Sequence, residues 1–215
     1  MKTSTTWSYS QYSTWAQCPH KAKLQYIDRI PVEPSDAMKR GSAIHKEIEQ
    51  YLTQRTEVPS SAFLIDKQVR HAARQDPEVE VTWGFDRAWN PCDPFGPDRW
   101  LKVILDVHYI TRNTEATVID WKTGKVRPEN HAPQMGLYAL ASMLKHRGVK
   151  KVTTKLVYVD FGVSHTTVFT RSEVGEMRAQ WDRVVGMMER DTIFPKKPNY
   201  LCKWCPFSGT EHCEF

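Results

Sequence analysis

Two apolar stretches joined by a short polar turn constrain the fold of this chain more than any other feature. Residues 101–111 and 116–122 are rich in β-branched and aromatic side chains, and residues 112–115 can turn the chain back between them, which predicts a β-hairpin. Each strand carries one aspartate, Asp106 or Asp120. A buried carboxylate is costly unless it is paired, hydrogen-bonded or bound to metal, so the hairpin also suggests a site. For Asp106 alone, a solvent-facing position at a strand end is an equal alternative.

The second strand ends in Asp120-Trp121-Lys122. Because strand side chains alternate, Asp120 and Lys122 lie on one face and Trp121 on the other. The carboxylate could hold a divalent cation while the ammonium steadies a water or an oxyanion. An isolated Asp-x-Lys is more often an ordinary ion pair on a solvated strand, so its neighbours must decide.

The remaining periodicity predicts an α/β sandwich with a mixed central sheet. Helices are predicted over residues 8–18, 21–30, 35–54, 133–146 and 170–188, and further strands over 79–85, 155–160 and 165–170. Helices, three strands, a helix, two strands and a helix follow one another without an internal repeat, an order typical of that class. With 215 residues, of which 40% are hydrophobic, the chain suits one large domain or a domain with an appendage.

Several polar side chains fall at informative positions in these elements. His45 and Glu49 are one turn apart on a helix, although a single such histidine is more often a half-buried hydrogen-bonding group than a ligand. Glu80 points away from the apolar face of its strand. Gln134 and Tyr138 share one helical face, which we expect to lie away from the apolar stripe of that helix.

The chain contains an odd number of cysteines, namely Cys18, Cys92, Cys202, Cys205 and Cys213. Cys202, Cys205 and Cys213 converge within one short segment, which suggests a metal site that needs a fourth ligand. Cys18 is the best candidate, because Cys92 lies in the loop before the Asp106 strand. A zinc knuckle that uses His212 is the rival arrangement, and the absence of any metal is a further alternative. Thiolates alone do not distinguish zinc from an iron-sulfur cluster.

Charge and hydropathy limit the class of protein. A net charge of +5, from 30 Lys+Arg against 25 Asp+Glu, permits a polyanionic partner without requiring one. No apolar run approaches the roughly 20 residues that span a bilayer. Residues 1–4 lack the apolar stretch of a signal peptide, so we expect an intracellular protein.

Taken in order, these motifs resemble the RecB-like branch of the PD-(D/E)XK nuclease superfamily, particularly iron-sulfur members such as the CRISPR-associated exonucleases. The resemblance covers nearly the whole chain. The residues that carry it are Cys18, residues 41–45 (Gly-Ser-Ala-Ile-His), Glu80, Asp106, residues 120–124 (Asp-Trp-Lys-Thr-Gly), residues 134–138, Cys202, Cys205 and Cys213.

The resemblance implies a restriction-endonuclease-like fold in a single nuclease domain, residues 1–215. Residues 1–30 and 195–215 would form a four-cysteine subregion that joins the termini, with a [4Fe-4S] cluster on Cys18, Cys202, Cys205 and Cys213 and zinc as the alternative. The implied ligands of Mg²⁺ or Mn²⁺ are His45, Asp106, Asp120 and the backbone carbonyl of Trp121, with Glu80 used variably in the family. Asp106, Asp120 and Lys122 would be catalytic, with Lys122 placing the attacking water. Gln134 and Tyr138 would contact the DNA backbone.

The implied function is a metal-dependent DNA nuclease, an exonuclease on single-stranded DNA or DNA ends in recombination, repair or DNA processing. Its expected partners are DNA and recombination or CRISPR-adaptation proteins, without a membrane, in a prokaryotic or viral cytoplasmic setting. One alternative is a nuclease-like DNA-binding partner with little or no catalysis, stabilised by a structural metal. Another is a zinc-stabilised interaction module, which leaves Asp106, Asp120, Lys122 and His45 unexplained.

Overall fold

A computed structural model describes residues 6–55 and 57–215, so residues 1–4, where no signal peptide is expected, lie outside the described part. The chain divides into two compact units. The first unit combines the described residues up to 33 with residues 179–215, and it includes the described part of the predicted subregion of residues 1–30 and 195–215. The second unit comprises residues 34–178.

The α-helices are α1 (Tyr9–Gln17), α2 (Pro19–Ala22), α3 (Asp36–Gln54), α4 (Asp66–Ala73), α5 (Ala132–Lys145) and α6 (Val174–Arg190). Two N-caps follow the sequence pattern: Ser8 accepts from the Gln11 N–H, and Ser35 accepts from the Met38 N–H. The helix predicted over residues 21–30 begins earlier, at α2, and continues as a π-helical turn over Lys23–Ile27. The short α4 was not predicted.

The strands are β1 (Glu78–Phe85), β2 (Pro91–Cys92), β3 (Leu101–Thr111), β4 (Glu115–Lys122), β5 (Lys151–Tyr158) and β6 (Val163–Thr170). They form one sheet in the order β2-β1-β3-β4-β5-β6. Only β4 and β5 pair in parallel among the described strands, and α5 supplies the crossover that this pairing requires. The predicted hairpin forms between β3 and β4, where Thr111 pairs with Glu115 across a three-residue turn. Arg112 and Asn113 in this turn both have positive φ.

Helices cover both faces of this sheet within the second unit. On one face, α3 and α4 pack against the odd-numbered side chains of β3 and β4, including Val107, Ile119 and Trp121. On the other face, α5 packs against β3, β4 and β5. The predicted restriction-endonuclease-like sandwich with a mixed central sheet is therefore confirmed. No helix in the described part of the chain is both long and apolar enough to cross a membrane.

The first unit is built from both ends of the chain. The Trp15 ring N–H donates to Asp191 Oδ2 at 2.8 Å, and the Trp7 and Trp181 rings lie 5.4 Å apart. His20 is held twice: its backbone N–H donates to the Pro195 carbonyl, and its ring Nε2–H donates to the carbonyl oxygen of His212 at 3.0 Å. These contacts bring Cys18, beside them, to the C-terminal segment.

Candidate functional site

The site lies where the central strands separate. β3 and β4 pair from the turn back to Val107 and Ile119, and the pairing stops there. The next residues are Asp106 and Asp120, whose strands continue beside β1 and β5 respectively. The Trp121 N–H donates to Asp106 Oδ2 at 2.8 Å. A carboxylate therefore occupies the fork between the two strands.

β1 is also irregular at this level. Its pairing with β3 is recorded at Val79 and Val81 but not at Glu80, which has a φ of +47°. A left-handed conformation inside a strand is strained for a non-glycine residue, and such strain concentrates at functional sites. The irregularity brings the Glu80 carboxylate into the group at the fork.

Three potential metal ligands meet there. One ligand atom from each of His45, Glu80 and Asp106 lies within 4.8 Å of the other two. His45 Nδ1 lies 3.5 Å from Asp106 Oδ2. Beside them opens a cavity of about 370 Å³, lined by Gly41, Ser42, His45, Lys46, Glu49 and Glu80. The histidine of α3, a marginal ligand candidate in the sequence, thus reaches the two carboxylates.

A chain of polar contacts continues from the fork to α5. The Lys122 ammonium lies 2.7 Å from Asp120 Oδ2, and it donates to Gln134 Oε1 at 3.2 Å. The Gln134 amide in turn donates to Tyr138 Oη at 2.7 Å. Asp120 is 2% exposed, so this is not the ordinary ion pair of a solvated strand. Its Oδ2 makes no directed hydrogen bond with the described residues.

The charges at the site repel one another. Burial, and then the charge of Asp120, raises the pKa of the Asp106 carboxyl well above its usual value. The pKa of Glu80 is raised by burial first, and then by Glu49 and Asp120. Burial lowers the pKa of His45 and so favours the neutral imidazole that binds metal.

The donor set fits a divalent cation. Crowded carboxylates and a neutral imidazole, with the buried Asp120 carboxylate nearby, offer the oxygen-rich environment that Mg²⁺ and Mn²⁺ prefer. A cation would also compensate for the repulsion between these carboxylates. Asp120 does not belong to the group within 4.8 Å, although it acts on the pKa values of Asp106, Glu80 and His45.

The prediction that Gln134 and Tyr138 both lie away from the buried side of α5 is wrong for Tyr138. We expected Gln134 and Tyr138 to lie away from the apolar side of their helix, but Tyr138 is only 7% exposed. The reason is that α5 is covered around most of its circumference, as its buried Ser142 also shows. Gln134 is partly exposed and lies between Lys122 and Tyr138.

The motif of residues 41–45 meets the motif of residues 120–124. A Cβ added at Gly41 would lie 3.1 Å from Thr123 Oγ1, so the missing side chain lets α3 approach the end of β4. Asp160, which the sequence analysis missed, fixes the same region: it accepts from the Gly124 N–H at 2.7 Å and pairs with the Arg40 guanidinium. A lone aspartate after a strand gave no signal of this role.

The four cysteines expected to bind a cluster line one pocket in the first unit: Cys18, Cys202, Cys205 and Cys213. The Asn199 N–H donates to Cys202 Sγ at 3.4 Å, a contact that suits a thiolate. Zinc–sulfur bonds of about 2.3 Å place tetrahedral thiolates roughly 3.8 Å apart. No three sulfur atoms among the described residues lie within even 4.8 Å of one another, so a closed zinc site is not preformed.

Cys92 stands apart from these four. It lies in β2, in the second unit, opposite Gly84 of β1. Burial, with Asp86, Asp98 and Asp93 nearby, raises the pKa of its thiol and disfavours the thiolate that metals bind.

Comparison with known proteins gives one family. The sequence matches the model of the PD-(D/E)XK nuclease superfamily over residues 6–89 and 67–210. The fold is similar to that of SSO0001, with a TM-score of 0.53 and 15% identity over 97% of this chain and 87% of that one. It is also similar to a putative exonuclease from Eubacterium rectale, with a TM-score of 0.51 and 11% identity over 93% of this chain and 92% of that one. No curated protein matches the sequence.

Proposed function

Since this chain belongs to the PD-(D/E)XK nuclease superfamily, we propose that it is a Mg²⁺- or Mn²⁺-dependent deoxyribonuclease that shortens single-stranded DNA from its ends. The observation that carries the proposal is the meeting of His45, Glu80 and Asp106 beside the buried Asp120–Lys122 pair. These are the residue types that hydrolysis of a phosphodiester requires, gathered at one fork in the sheet. A bound divalent ion would acidify a water and neutralise charge on the phosphate.

Asp106, Asp120, His45 and the Trp121 carbonyl are the proposed ligands, with Glu80 beside them. Asp106 is oriented by the Trp121 N–H, which donates to Oδ2, the same oxygen that lies 3.5 Å from His45 Nδ1. Asp120 and Lys122 lie on the face that α5 covers, and the low exposure of Asp120 strengthens their interaction.

Lys122 is the proposed positioning group for the attacking water and for negative charge on the phosphate. Its ammonium is held between Asp120 and Gln134, so its place is fixed before substrate binds. Gln134 is the proposed contact to the DNA backbone. The burial of Tyr138 favours an indirect role for that residue, through its hydrogen bond with Gln134.

The preference for ends is supported by the shared fold of the putative exonuclease from Eubacterium rectale. A net charge of +5 suits a polyanionic substrate. We propose that the ends arise in recombination, repair or CRISPR adaptation, on the resemblance of the motif order to RecB-like and CRISPR-associated exonucleases.

The test compares linear and covalently closed circular single-stranded DNA with Mn²⁺. We expect degradation of the linear substrate, survival of the circle and complete inhibition by EDTA. Labels at the 5′ and 3′ ends give the polarity. Cleavage of the circle would contradict the exonuclease part, and Asp120→Ala with undiminished Mn²⁺-dependent activity would contradict the whole assignment. A protein that binds DNA but leaves every substrate intact would favour the non-catalytic alternative.

We propose in addition that Cys18, Cys202, Cys205 and Cys213 hold a [4Fe-4S] cluster. Their common pocket supports this, as does the Asn199 N–H directed at Cys202 Sγ. Zinc remains the alternative metal, although it requires the thiolates to move closer together.

A further inference from the structure

A second cluster of metal-ligating side chains lies one step along the same two strands. Glu78 of β1 pairs with His108 of β3, two residues from Glu80 and Asp106 respectively. Two residues along a strand span roughly 6.6 Å. The ions of two-metal hydrolytic centres are only about 4 Å apart. The cluster is therefore not the second half of the catalytic site.

Three side chains converge here, the third being His146 at the C-cap of α5. His108 Nδ1 lies 2.7 Å from Glu78 Oε2, and His146 Nε2 lies 4.0 Å from the same oxygen. One ligand atom from each residue lies within 4.8 Å of the other two. The two imidazole rings are nearly parallel, at 8°, with centroids 5.0 Å apart. Small side-chain movements would bring all three ligand atoms to one ion.

The surroundings of His108 are those of a metal-binding histidine. The residue is fully buried, and its Nε2 lies 3.0 Å from Ser142 Oγ. In the metal-free protein Nδ1–H donates to Glu78 Oε2, and Nε2 accepts from the Ser142 hydroxyl. Zinc would take the Nδ1 lone pair after the ring proton moves to Nε2, where Ser142 Oγ can accept it. A second hydrogen bond of this kind usually fixes the tautomer of a histidine ligand. The Trp83 ring makes T-shaped contacts with both imidazoles.

His146 gives an independent indication of a missing partner. Its Nε2 is buried and has no hydrogen-bond partner anywhere in residues 6–55 and 57–215. The distance of 4.0 Å to Glu78 is too long for a hydrogen bond. A buried polar atom without a partner is costly, so its retention points to a ligand that the protein itself does not provide.

We propose that Glu78, His108 and His146 form a zinc site separate from the catalytic centre. Two imidazoles and one carboxylate are a set that Zn²⁺ accepts, with a fourth position open to water. Mg²⁺ prefers oxygen ligands in an octahedral array and does not suit this set. The bound ion would tie β1, β3 and α5 together next to Glu80, where the β1–β3 pairing is interrupted. Its role is to brace the strands that carry Glu80 and Asp106.

The first test follows the ring nitrogens by NMR. Full-length ¹⁵N-labelled protein, with its cysteine centre loaded and excess Mg²⁺ present, is titrated with Zn²⁺. One equivalent should move the signals of His108 Nδ1 and His146 Nε2 and leave exposed His165 unchanged. Zinc saturation that leaves both signals in place, or moves only His45, would overturn the proposal and reduce the cluster to a hydrogen-bond network.

The second test measures zinc affinity against a competing chelator. His146→Gln and Glu78→Gln should each weaken zinc binding at least roughly tenfold, because the loss of a residue that only hydrogen-bonds to a metal ligand already lowers metal affinity by that factor. Neither variant alters fully buried His108, and His165→Gln serves as the matched control. Zinc should raise the melting temperature of the wild type and of His165→Gln but not that of His146→Gln. Wild-type zinc affinity in His146→Gln would contradict the site.

Discussion

Asp106 is held in the folded protein at an energetic cost. Its carboxyl is 13% exposed and lies among other acidic groups, and its pKa is raised by burial first and by Asp120 second. The hydrogen bond from the Trp121 N–H opposes this shift without cancelling it. A residue that destabilises its own fold in this way is typical of a functional site.

We therefore expect Asp106→Asn to stabilise the metal-free protein while abolishing nuclease activity. The amide keeps an acceptor for the Trp121 N–H and removes the repulsion, for a gain of about 1–2 kcal/mol, within the usual range of point substitutions. The measurement is urea unfolding in EDTA. Asp160→Asn is the opposite control: Arg40 lowers the pKa of that carboxyl, so its loss should cost up to about 1 kcal/mol.

The sign of the pH dependence follows from the same shift. The folded state retains the Asp106 proton to higher pH than the unfolded chain does, so the contribution of Asp106 to the stability of the metal-free protein falls as pH rises above the ordinary aspartate pKa. Asp106→Asn should lose less stability over that interval. If Asp106→Asn were less stable than the wild type in EDTA, the Asp106 carboxylate would be shown to stabilise the metal-free fold.

Lys122 should affect turnover more than metal binding. Its ammonium contacts Asp120 but supplies no ligand, so Lys122→Ala should keep or slightly increase Mn²⁺ affinity. Loss of one fixed positive group near the phosphate should slow turnover roughly 10²–10³-fold. Calorimetry and single-turnover cleavage measure the two effects, with exposed Lys125→Ala as the control. Equal loss of Mn²⁺ affinity in Lys122→Ala and Asp120→Ala would contradict this division.

For single residues, the sequence indicated which side chains have unusual chemistry better than it indicated how deeply each side chain is buried. Asp106 and Asp120 were predictable because a carboxylate inside an apolar strand is anomalous by itself. The burial of Tyr138 was not, because it depends on what covers the far side of α5. His108 was overlooked inside the apolar run of β3, since nothing local distinguishes it from a core histidine.

At the scale of helices and strands, α3 can approach the site closely because its residue 41 is a glycine and has no side chain. Glycine normally weakens a helix interior, yet Gly41 lies within α3 and faces Thr123 Oγ1 at Cβ contact distance. The helix carries His45, so its distance from β4 fixes where that imidazole lies relative to Asp106. Gly41 therefore lowers the helix propensity of α3, but it lets the helix lie close enough to β4 to place His45 near Asp106.

Replacement of Gly41 by Ala should therefore not give the usual stabilisation. Gly175→Ala is the matched control, because a Cβ there meets no atom within 4 Å. The control should gain about 0.5–1 kcal/mol. Gly41→Ala should gain less or lose stability, because Thr123 must yield, and its nuclease activity should fall. Equal gains and equal activities in the two variants would mean that the close approach has no consequence.

Element boundaries show where sequence patterns stop being informative. The starts of the helices near Ser8 and Ser35 and the whole of β3 could be predicted from the local sequence. The eight-residue α4 was missed because it is too short to establish a period. The positive φ of Glu80 was also beyond prediction, since only the neighbouring strands and α3 make that strained conformation tolerable.

At the scale of the whole molecule, the cysteines bring together segments that are far apart in the sequence. Cys18 and Cys202 lie in one pocket although almost the entire chain separates them. A metal held by both would close a very long loop and restrict the unfolded chain. The proximity of Cys18 to Cys202 was predicted from the cysteines. The division into two units was not, because it depends on contacts between distant segments.

Cys18→Ser should lose both metal and stability, whereas Cys92→Ser should lose neither. The two variants differ in position, since Cys18 shares the pocket and Cys92 lies in β2 of the other unit. Iron, sulfide and zinc are measured in protein prepared without oxygen, together with the melting temperature. If Cys92→Ser loses metal while Cys18→Ser keeps it, the fourth ligand has been assigned to the wrong cysteine.

The two-ended construction of the first unit also affects the order of events on the ribosome. Residues 6–33 leave the exit tunnel before residues 179–215 have been translated, so α1 and Trp7 emerge long before Trp181 and Asp191. Domains generally fold as units during synthesis. Residues 34–178 can therefore acquire their sheet while the leading segment is still without its packing surface. A nascent chain stalled before α6 should expose that segment to proteases and chaperones, and emergence of residues 179–215 from the ribosome should bury it.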